Sequence, residues 1–446
     1  MTNKFYRRFS MGHPDDPSAS MSSFARLVCA SSKKFQDEIA DVYFGRAFRY
    51  NFNGSDRRYG DVMGKEASDA QVKDLLDMQE QTGVPISLTI NEMNFMPEIS
   101  GNKNVRNEFV KFVKSFYEAG VRICTISDVH LMTTGVLQEA MPDMHWKNTV
   151  NHIVRTAQEV VDYASIGYNT ILIDRSLNRD ADELRRVKAV ADKIGVKLSL
   201  LASEGCMPSC PYKKEHDSVQ PYTQNGYNPT LNPELRSYWG IYGDLSCNRW
   251  RFSNMTRKEG VEVEDEALMP RQGTDIVALD KETLDVYLDN THVLKFSGRL
   301  SNQQNIRPGE QFFWGSNIGK KQLTSGETAL DDQILVSSFS EIYERNLFPF
   351  HTWRPMSAYP GENTSIESVL EQAESRLAAR RATSVWGQKK AAALNKTLLT
   401  CKNQCYDCHA CERVFGYEDF DTLLELEKPT KWTDKADNVI PIRVAA

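Results

Sequence analysis

Three segments of this sequence carry a helical pattern of apolar residues that ends at a glycine and leads directly into a short apolar run. They are VRNEFVKFVKSFYEAG before RICTISD, TVNHIVRTAQEVVDYASIG before TILID, and ADELRRVKAVADKIG, ending at Gly195, before KLSLLAS. Apolar residues three and four positions apart predict a buried helix face, and a glycine past the last turn is a common helix end. Helical crossovers of this kind join parallel strands, so the repetition predicts an α/β fold.

The predicted strands are ARLVCA, PISLTIN, RICTISD, TILID, KLSLLAS and HVLKFSG. Polar residues stand at the ends of several of them, namely Asn91, Glu92, Asp128, Asp174 and Glu204. Barrel enzymes carry their active-site residues at this C-terminal face. We therefore expect a TIM-barrel-like (β/α) barrel over residues 21–320, with an irregular insertion at 211–275 near its mouth. Residues 321–446 are expected to form a helical extension that ends in a Cys-rich segment.

The chain has 446 residues and a formal net charge of −6, which gives no general electrostatic signal for nucleic-acid binding. Its first residues contain no apolar run typical of a signal peptide, and no later run is long enough to span a membrane. The expectation is a cytoplasmic protein that acts on a small molecule away from the membrane.

Six of the nine cysteines fall in two short segments. They are Cys206 and Cys210 in the first segment, and Cys401, Cys405, Cys408 and Cys411 in the second. Disulfides are rare in a reducing cytosol, so clustered cysteines there favour metal binding. Cys247 lies between the segments and is a candidate further ligand. Cys29 and Cys124 stand in apolar runs and are expected to be core residues.

The spacing of the cysteines leaves the kind of metal centre open. The four tail cysteines are able to enclose one metal by themselves, or some of them complete a site at Cys206 and Cys210. Four thiolates suit Zn(II) as well as an iron–sulfur cluster. If seven cysteines are all ligands, a four-ligand centre in the tail accompanies a three-ligand one at Cys206, Cys210 and Cys247. The spacing C-x3-C-x2-C also occurs in radical S-adenosylmethionine enzymes, but there it precedes the barrel rather than following it.

Ser203-Glu204-Gly205-Cys206, Cys210-Pro211-Tyr212-Lys213 and His216 together resemble the NEGC…CPYR…H signature of the collagenase-like peptidase family U32. TISDVHL, LIDRSLNRDADELRRV and VLKFSGR fit the same resemblance, and CKNQCYDCHAC is similar to the Cys-rich ending of one branch. Two positions depart from the signature, because Ser203 replaces an Asn and Lys213 replaces an Arg. Lysine does not reproduce bidentate binding of a carboxylate by arginine.

The resemblance implies a TIM-barrel domain with one or two cysteine-ligated [4Fe-4S] clusters, or with Zn(II) at the C-terminal cysteines as the alternative. Several family members hydroxylate ubiquinone precursors or RNA bases without oxygen, and the peptidase name comes from founding members. The resemblance therefore favours oxygen-independent hydroxylation, or a related modification, of a small aromatic or nucleobase-like substrate. A collagenase-like peptidase and a non-catalytic metal-stabilised binding protein are the alternatives. Some relatives work in pairs, so a protein partner is also possible.

Glu204, His216 and Asp128 are the candidate catalytic residues outside the cysteines, because carboxylates and imidazoles at a barrel mouth suit proton transfer. Each has an ordinary structural alternative as a satisfied polar residue. Arg175 and Arg179 are candidates for binding an anion, with capping salt bridges as the commoner role. Lys295 and Arg299 flank a strand end where a ligand is able to approach Gly298, with a surface ion pair as the alternative. The sequence contains no HExxH helix, GxSxG turn or Gly-rich phosphate loop.

Overall fold

The structure is a computed structural model. It describes residues 3–13, 25, 28–62, 66–94, 96–203, 213–214, 217, 276 and 280–296. Beyond these it describes 312–313, 335–347, 356–358, 365–383, 397–402, 408, 432–433 and 439–440. The predicted or candidate site residues Glu204, Cys206, Cys210, His216, Cys247, Arg299, Cys405 and Cys411 lie outside these ranges.

Eight parallel strands close into a barrel, which confirms the predicted TIM-type fold. In chain order they are β1 (Phe9–Gly12), β2 (Ile39–Gly45), β5 (Ile86–Ile90), β6 (Ile123–Ile126), β7 (His145–Lys147), β8 (Thr170–Ile173), β9 (Lys197–Ser203) and β10 (Val293–Phe296). A hairpin of β3 (Phe48–Phe52) and β4 (Ser55–Tyr59) follows β2. Each barrel strand pairs with its sequence neighbour in the barrel, and β1 closes the ring between β10 and β2.

The helices on the outside of the barrel are mostly the crossovers between these strands. They are α1 (Lys33–Glu38), α2 (Asp69–Thr82), α3 (Pro97–Gly101), α4 (Lys103–Glu118), α5 (Val129–Thr133), α6 (Val136–Ala140), α7 (Ala157–Ser165), α8 (Ala181–Ile194), α9 (Lys281–Asn290), α10 (Phe339–Glu344) and α11 (Ile366–Thr383). Short 3-10 turns span Val150–His152 and Arg175–Arg179. Small antiparallel sheets join β11 (Phe312–Phe313), β12 (Leu335–Val336) and β13 (Met356–Ala358), and β14 (Trp432–Thr433) with β15 (Val439–Ile440).

The crossover helices end where the sequence indicates. Gly120, Gly167 and Gly195 follow α4, α7 and α8 with φ of 107°, 109° and 76°, a backbone conformation that glycine adopts without steric cost. Thr156 and Glu159 form a capping box at the start of α7. The predicted helix TVNHIVRTAQEVVDYASIG is therefore shorter than expected, because α7 begins only at Ala157.

The predicted strand ARLVCA is wrong, because residues 28–30 are helical and the first barrel strand, β1, lies upstream of them. Strands β1, β2 and β7 were not predicted from the sequence. The four residues of β1 and three of β7 are too short to show a period, and β2 and β7 carry charged residues at inward positions. Those charges are paired inside the barrel, so burial does not exclude them.

Helix α10 packs against the outer face of β1 and β10. The ring of Phe339 stacks on Phe9 with 3.7 Å between ring centroids and on Phe296 at 5.6 Å. The buried Glu38 carboxylate accepts hydrogen bonds from the Phe339 backbone N at 2.6 Å and from Ser340. Carboxylates at a helix N-terminus are favourable because they meet unpaired N–H groups. Helix α10 is about three hundred positions from Glu38 in the chain, yet it packs on the barrel as one of its outer helices.

No helix in the described part of the chain has both the length and the apolar character needed to cross a membrane.

We expect Phe339→Ala to lower the free energy of unfolding by roughly 3–5 kcal/mol, because it removes a fully buried ring from the stack on β1. Denaturant titration followed by circular dichroism measures this loss. Tyr6→Ala is the matched control, because Tyr6 is 59% exposed and its removal is expected to change stability by less than about 0.5 kcal/mol. An equally small effect for Phe339→Ala would show that α10 is not part of the barrel core.

Candidate active site at the C-terminal mouth of the barrel

The barrel interior contains a buried ion pair. Lys147 Nζ on β7 donates to Asp41 Oδ2 on β2 at 2.6 Å, and Ser10 Oγ donates to Asp41 Oδ1 at 2.6 Å. All three side chains are buried. Burial opposes ionisation of Asp41, but the Lys147 ammonium and the two hydrogen bonds hold the pKa of Asp41 below its ordinary value. Asp41 is therefore ionised at neutral pH.

Lys295 on β10 lies beside this pair. Its Nζ stands 4.1 Å from the centroid of the Tyr43 ring, and Tyr43 OH donates to the Phe296 carbonyl at 2.6 Å. Lys295 is buried and adds to the electrostatic field that keeps Asp41 ionised. The surface ion pair considered for Lys295 is therefore wrong, and this part of the barrel interior is polar.

Glu92 follows β5 at the C-terminal mouth, as expected, and is 1% exposed. Its carboxylate accepts from Arg58 Nη1 on β4 at 2.8 Å and from the backbone N of Gly60 at 3.1 Å. Burial raises the pKa of Glu92 to about 7, although Arg58 acts in the opposite direction. A carboxyl group that titrates near neutral pH is suited to both donating and accepting a proton.

Ser127, directly after β6, joins three elements of the mouth. Its Oγ donates to the Glu92 carbonyl at 2.6 Å, so Tyr59 OH is the donor in its 2.7 Å contact with the same Oγ. His152, after β7, contacts the Ser127 carbonyl through Nε2 at 2.9 Å. Burial lowers the pKa of His152 to about 4, so the imidazole is neutral with its proton on Nε2. Its buried Nδ1 is then an acceptor, and it has no hydrogen-bond partner among the described residues.

Asp128, the predicted catalytic residue next to Ser127, lies at the mouth as the sequence indicates. Its Oδ1 accepts from the Leu131 backbone N at 2.8 Å, and it caps α5. Burial raises the pKa of Asp128 above its ordinary value, although this hydrogen bond and the nearby His130 act in the opposite direction. The hydrogen bond provides the structural role of a cap, and a catalytic role for Asp128 stays a prediction. His130 is exposed on α5.

The loops after β7, β8 and β9 meet at Asn151. Its Oδ1 accepts from Arg175 Nη2 at 3.4 Å and from Lys213 Nζ at 3.2 Å. Lys213 also forms an ion pair with Asp217, one turn further along. Arg175 and Arg179 are both buried in the 3-10 turn after β8. The last residue of the Cys210-Pro211-Tyr212-Lys213 motif therefore lies over the mouth.

The start of the Cys-rich tail lies at the same end of the barrel. Lys402 Nζ is 3.1 Å from Asp180 Oδ2, and Asp180 caps the N-terminus of α8 directly after the loop that leaves β8. Leu398 is buried in the hydrophobic core just before this contact. Cys401 is half-buried between them, whereas Cys408 is exposed. The two described tail cysteines therefore differ in how far they are covered by protein.

Within the ranges that the structure describes, no three His, Cys, Asp or Glu side chains form a group able to hold a metal ion. Cys124 is buried in β6, as expected for a core cysteine, and burial raises the pKa of its thiol. Cys29 is half-buried, and burial also raises its thiol pKa. Thiols with raised pKa values are poor nucleophiles and metal ligands, so the two cysteine segments remain the candidates for metal binding.

Several residues of this site were not predicted from the sequence. They are Asp41, Tyr43, Arg58, Lys147 and His152. Asp41 interrupts the apolar run IADVYFG, and such a charge in a strand is a recognisable signal for an inward polar group. Arg58 and His152 give no such signal, because their burial depends on a hairpin and a loop that fold back over the mouth.

No family model matches this chain, and no curated protein matches it. Among solved structures it is similar to the U32 peptidase Mk0906, with 12% sequence identity and a TM-score of 0.35 over 52% of this chain and 78% of that one. A putative lyase/mutase from Burkholderia cenocepacia J2315 shows 13% identity and a TM-score of 0.27 over 57% of this chain and 84% of that one. The carboxyl transferase domain from Rhizobium etli pyruvate carboxylase shows 9% identity and a TM-score of 0.28, covering 48% and 38%. These similarities concern the fold alone.

We expect the stability difference between the wild-type protein and Glu92→Gln to depend on pH. An acid whose pKa is raised on folding, here from 4.5 to about 7, stabilises the folded state below the lower value and loses that contribution as pH rises through the higher one. The wild type should therefore lose roughly 2–3 kcal/mol relative to Glu92→Gln between about pH 5 and about pH 8.

Denaturant titrations at several pH values measure this difference. Glu118→Gln is the control, because the Glu118 side chain is 65% exposed and its substitution should give a difference that changes little with pH. A wild-type advantage over Glu92→Gln that stays constant or grows with pH would contradict the raised pKa.

Proposed function

We propose that this protein is an iron–sulfur enzyme whose cluster lies at the C-terminal mouth of the barrel. There it would carry out oxygen-independent hydroxylation, or a related modification, of a small aromatic or nucleobase-like substrate. The observation that carries the proposal is that both cysteine-bearing segments of the sequence are attached to described residues at that mouth. The reaction class rests on the resemblance of the cysteine motifs to family U32.

The first segment is tethered at both of its ends. Strand β9 ends at Ser203, three residues before Cys206, and Lys213 contacts Asn151 three residues after Cys210. A fully extended chain covers at most about 3.6 Å per residue, so three residues bridge at most about 11 Å. Both anchors are at the mouth, which supports a metal centre there.

The second segment is tethered at its start. Lys402 contacts Asp180 next to Cys401, and Cys405 follows three residues after Lys402. Three residues again bridge at most about 11 Å. The arrangement supports a shared site for the two segments as well as two neighbouring sites.

The donor set fits such a group, because six cysteines in these two segments supply the thiolates that an iron–sulfur cluster requires. Cys206, Cys210, Cys247 and the four tail cysteines would hold the metal. When bound, the cluster would supply electron transfer or an open iron that binds substrate.

The chain's own residues would bind the substrate and move protons at the mouth. Glu92 exchanges a proton near neutral pH, and His152 Nδ1 offers a buried acceptor. Arg175 and Arg179 bring buried positive charge to the loop after β8. A buried site strengthens each of these electrostatic interactions because water does not screen them.

Purification under strict anaerobiosis should give about four irons and about four acid-labile sulfides per chain, or about twice these numbers if the tail holds its own cluster. Cys206→Ala is expected to remove iron from the barrel site. Cys401→Ala is expected to lower the iron content per chain as well, either at a site shared with Cys206 or at a separate site in the tail. Iron, sulfide and zinc are measured on the same samples.

Cys29→Ala is the matched control, because Cys29 lies outside both segments and should leave the iron content unchanged. Zinc without sulfide in the wild-type protein would contradict the proposed function and favour a structural metal. Unchanged iron in both Cys206→Ala and Cys401→Ala would contradict the ligand assignment.

A further inference from the structure

The upper layer of the barrel interior carries polar side chains on three neighbouring strands. Thr89 on β5, Thr125 on β6 and Lys147 on β7 are successive partners in the strand register, so their side chains are neighbours on the same face of the sheet. Side chains alternate between the two faces of a strand, and Lys147 contacts Asp41 across the interior. All three side chains therefore point into the barrel, close to its C-terminal mouth.

The Lys147 ammonium is only partly satisfied. An ammonium has three N–H donors, and Asp41 Oδ2 accepts one of them among the described residues. Lys147 is 2% exposed, so bulk water does not reach it. To contact Asp41 on β2, its side chain extends across the interior in front of β6 and β5. Two ammonium donors thus remain available inside the barrel.

Several hydroxyls of the barrel interior are also without partners. The buried Oγ1 atoms of Thr89 and Thr125 make no hydrogen bond within the described part of the chain, nor do the Oγ atoms of Ser87 and Ser199. Each of these residues is at most 1% exposed. A buried polar group without a hydrogen bond costs free energy, so several of them on one interior surface indicate a polar guest.

We propose that this layer of the barrel interior binds the carboxylate of an anionic substrate through Lys147, Thr89 and Thr125. The two free N–H donors of Lys147 and the two hydroxyls offer four donors. A carboxylate has about four lone-pair positions on two oxygens, so the numbers match. Its negative charge would also be attracted by the ammonium groups of Lys147 and Lys295, which both act on Asp41 in the same interior.

This inference refines the proposed function, because it assigns the substrate to the class of small aromatic carboxylic acids. The carboxylate would enter the barrel and the ring would remain at the mouth, where Tyr59 and His152 lie and where the cysteine segments are attached. A small planar acid group suits the narrow interior of an eight-stranded barrel, which side chains nearly fill. Binding of the carboxylate does not itself require the cluster.

Binding of benzoate to the full-length, anaerobically purified protein tests the proposal, with benzamide as the neutral probe of the same shape. Calorimetry or ligand-observed NMR measures both dissociation constants. We expect benzoate to bind at least about tenfold more tightly than benzamide, because hydrogen bonds to a charged group are the stronger ones. Thr125→Val keeps the shape of the side chain and removes its hydroxyl, and it should weaken benzoate binding about tenfold. Thr133→Val, at an exposed threonine, should leave it unchanged.

Lys147→Met should abolish benzoate binding, and Lys147→Met combined with Asp41→Asn keeps the test usable if the unpaired Asp41 prevents folding. Equal affinities for benzoate and benzamide, no benzoate binding, or unchanged benzoate binding in Thr125→Val would overturn the proposal and leave water as the occupant. Benzoate binding that depends on Thr125 in protein without iron would uphold this inference while contradicting the proposed function. Iron and sulfide in a protein that does not bind benzoate would support the proposed function and contradict this inference.

Discussion

The ion pair of Asp41 and Lys147 is the interaction on which the arrangement of the barrel mouth depends. Strand β7 has three residues, and one register pair, Lys147 with Thr170, joins it to β8. Such a short strand contributes few ladder hydrogen bonds, so the contact of Lys147 with Asp41 ties it to β2 on the other side of β5 and β6. Removing one partner of a buried pair typically costs about 3–5 kcal/mol because the other charge stays buried.

The ion pair of Asp41 and Lys147 also determines which side chains are positioned at the mouth. Strand β7 leads directly into the turn that carries Asn151 and His152, so its position fixes their contacts with Lys213 and Ser127. Two strands away, at the end of β5, Arg58 brings the hairpin of β3 and β4 against Glu92. The polar groups of the mouth are thus held in place by contacts between different loops. Such preorganised polar groups suit a site that exchanges its solvent for a substrate.

The crossover helices follow from the sequence, because they are long enough to show their period and several end at glycines such as Gly195. Five of the barrel strands follow as short apolar runs next to these helices. Strand β7 could not be predicted from its sequence, HWK. Its buried Lys147 is stabilised by Asp41, which is more than a hundred positions away in the chain. Helix α10 likewise depends on the distant Glu38. Among site residues, Asp128 and Glu92 are predictable as polar strand ends, whereas Arg58 and His152 depend on loops that return to the mouth. A local sequence pattern identifies helices and strands, but a buried polar contact is recognised only when both of its residues are known.

An anomalous difference map recorded at the iron edge, on crystals grown without oxygen, would locate the metal in the protein. We expect iron at the C-terminal mouth, bonded to Cys206 and Cys210 and close to the contact between Lys402 and Asp180. Iron bonded to tail cysteines alone, or a zinc signal in its place, would contradict a reactive cluster at the mouth of the barrel.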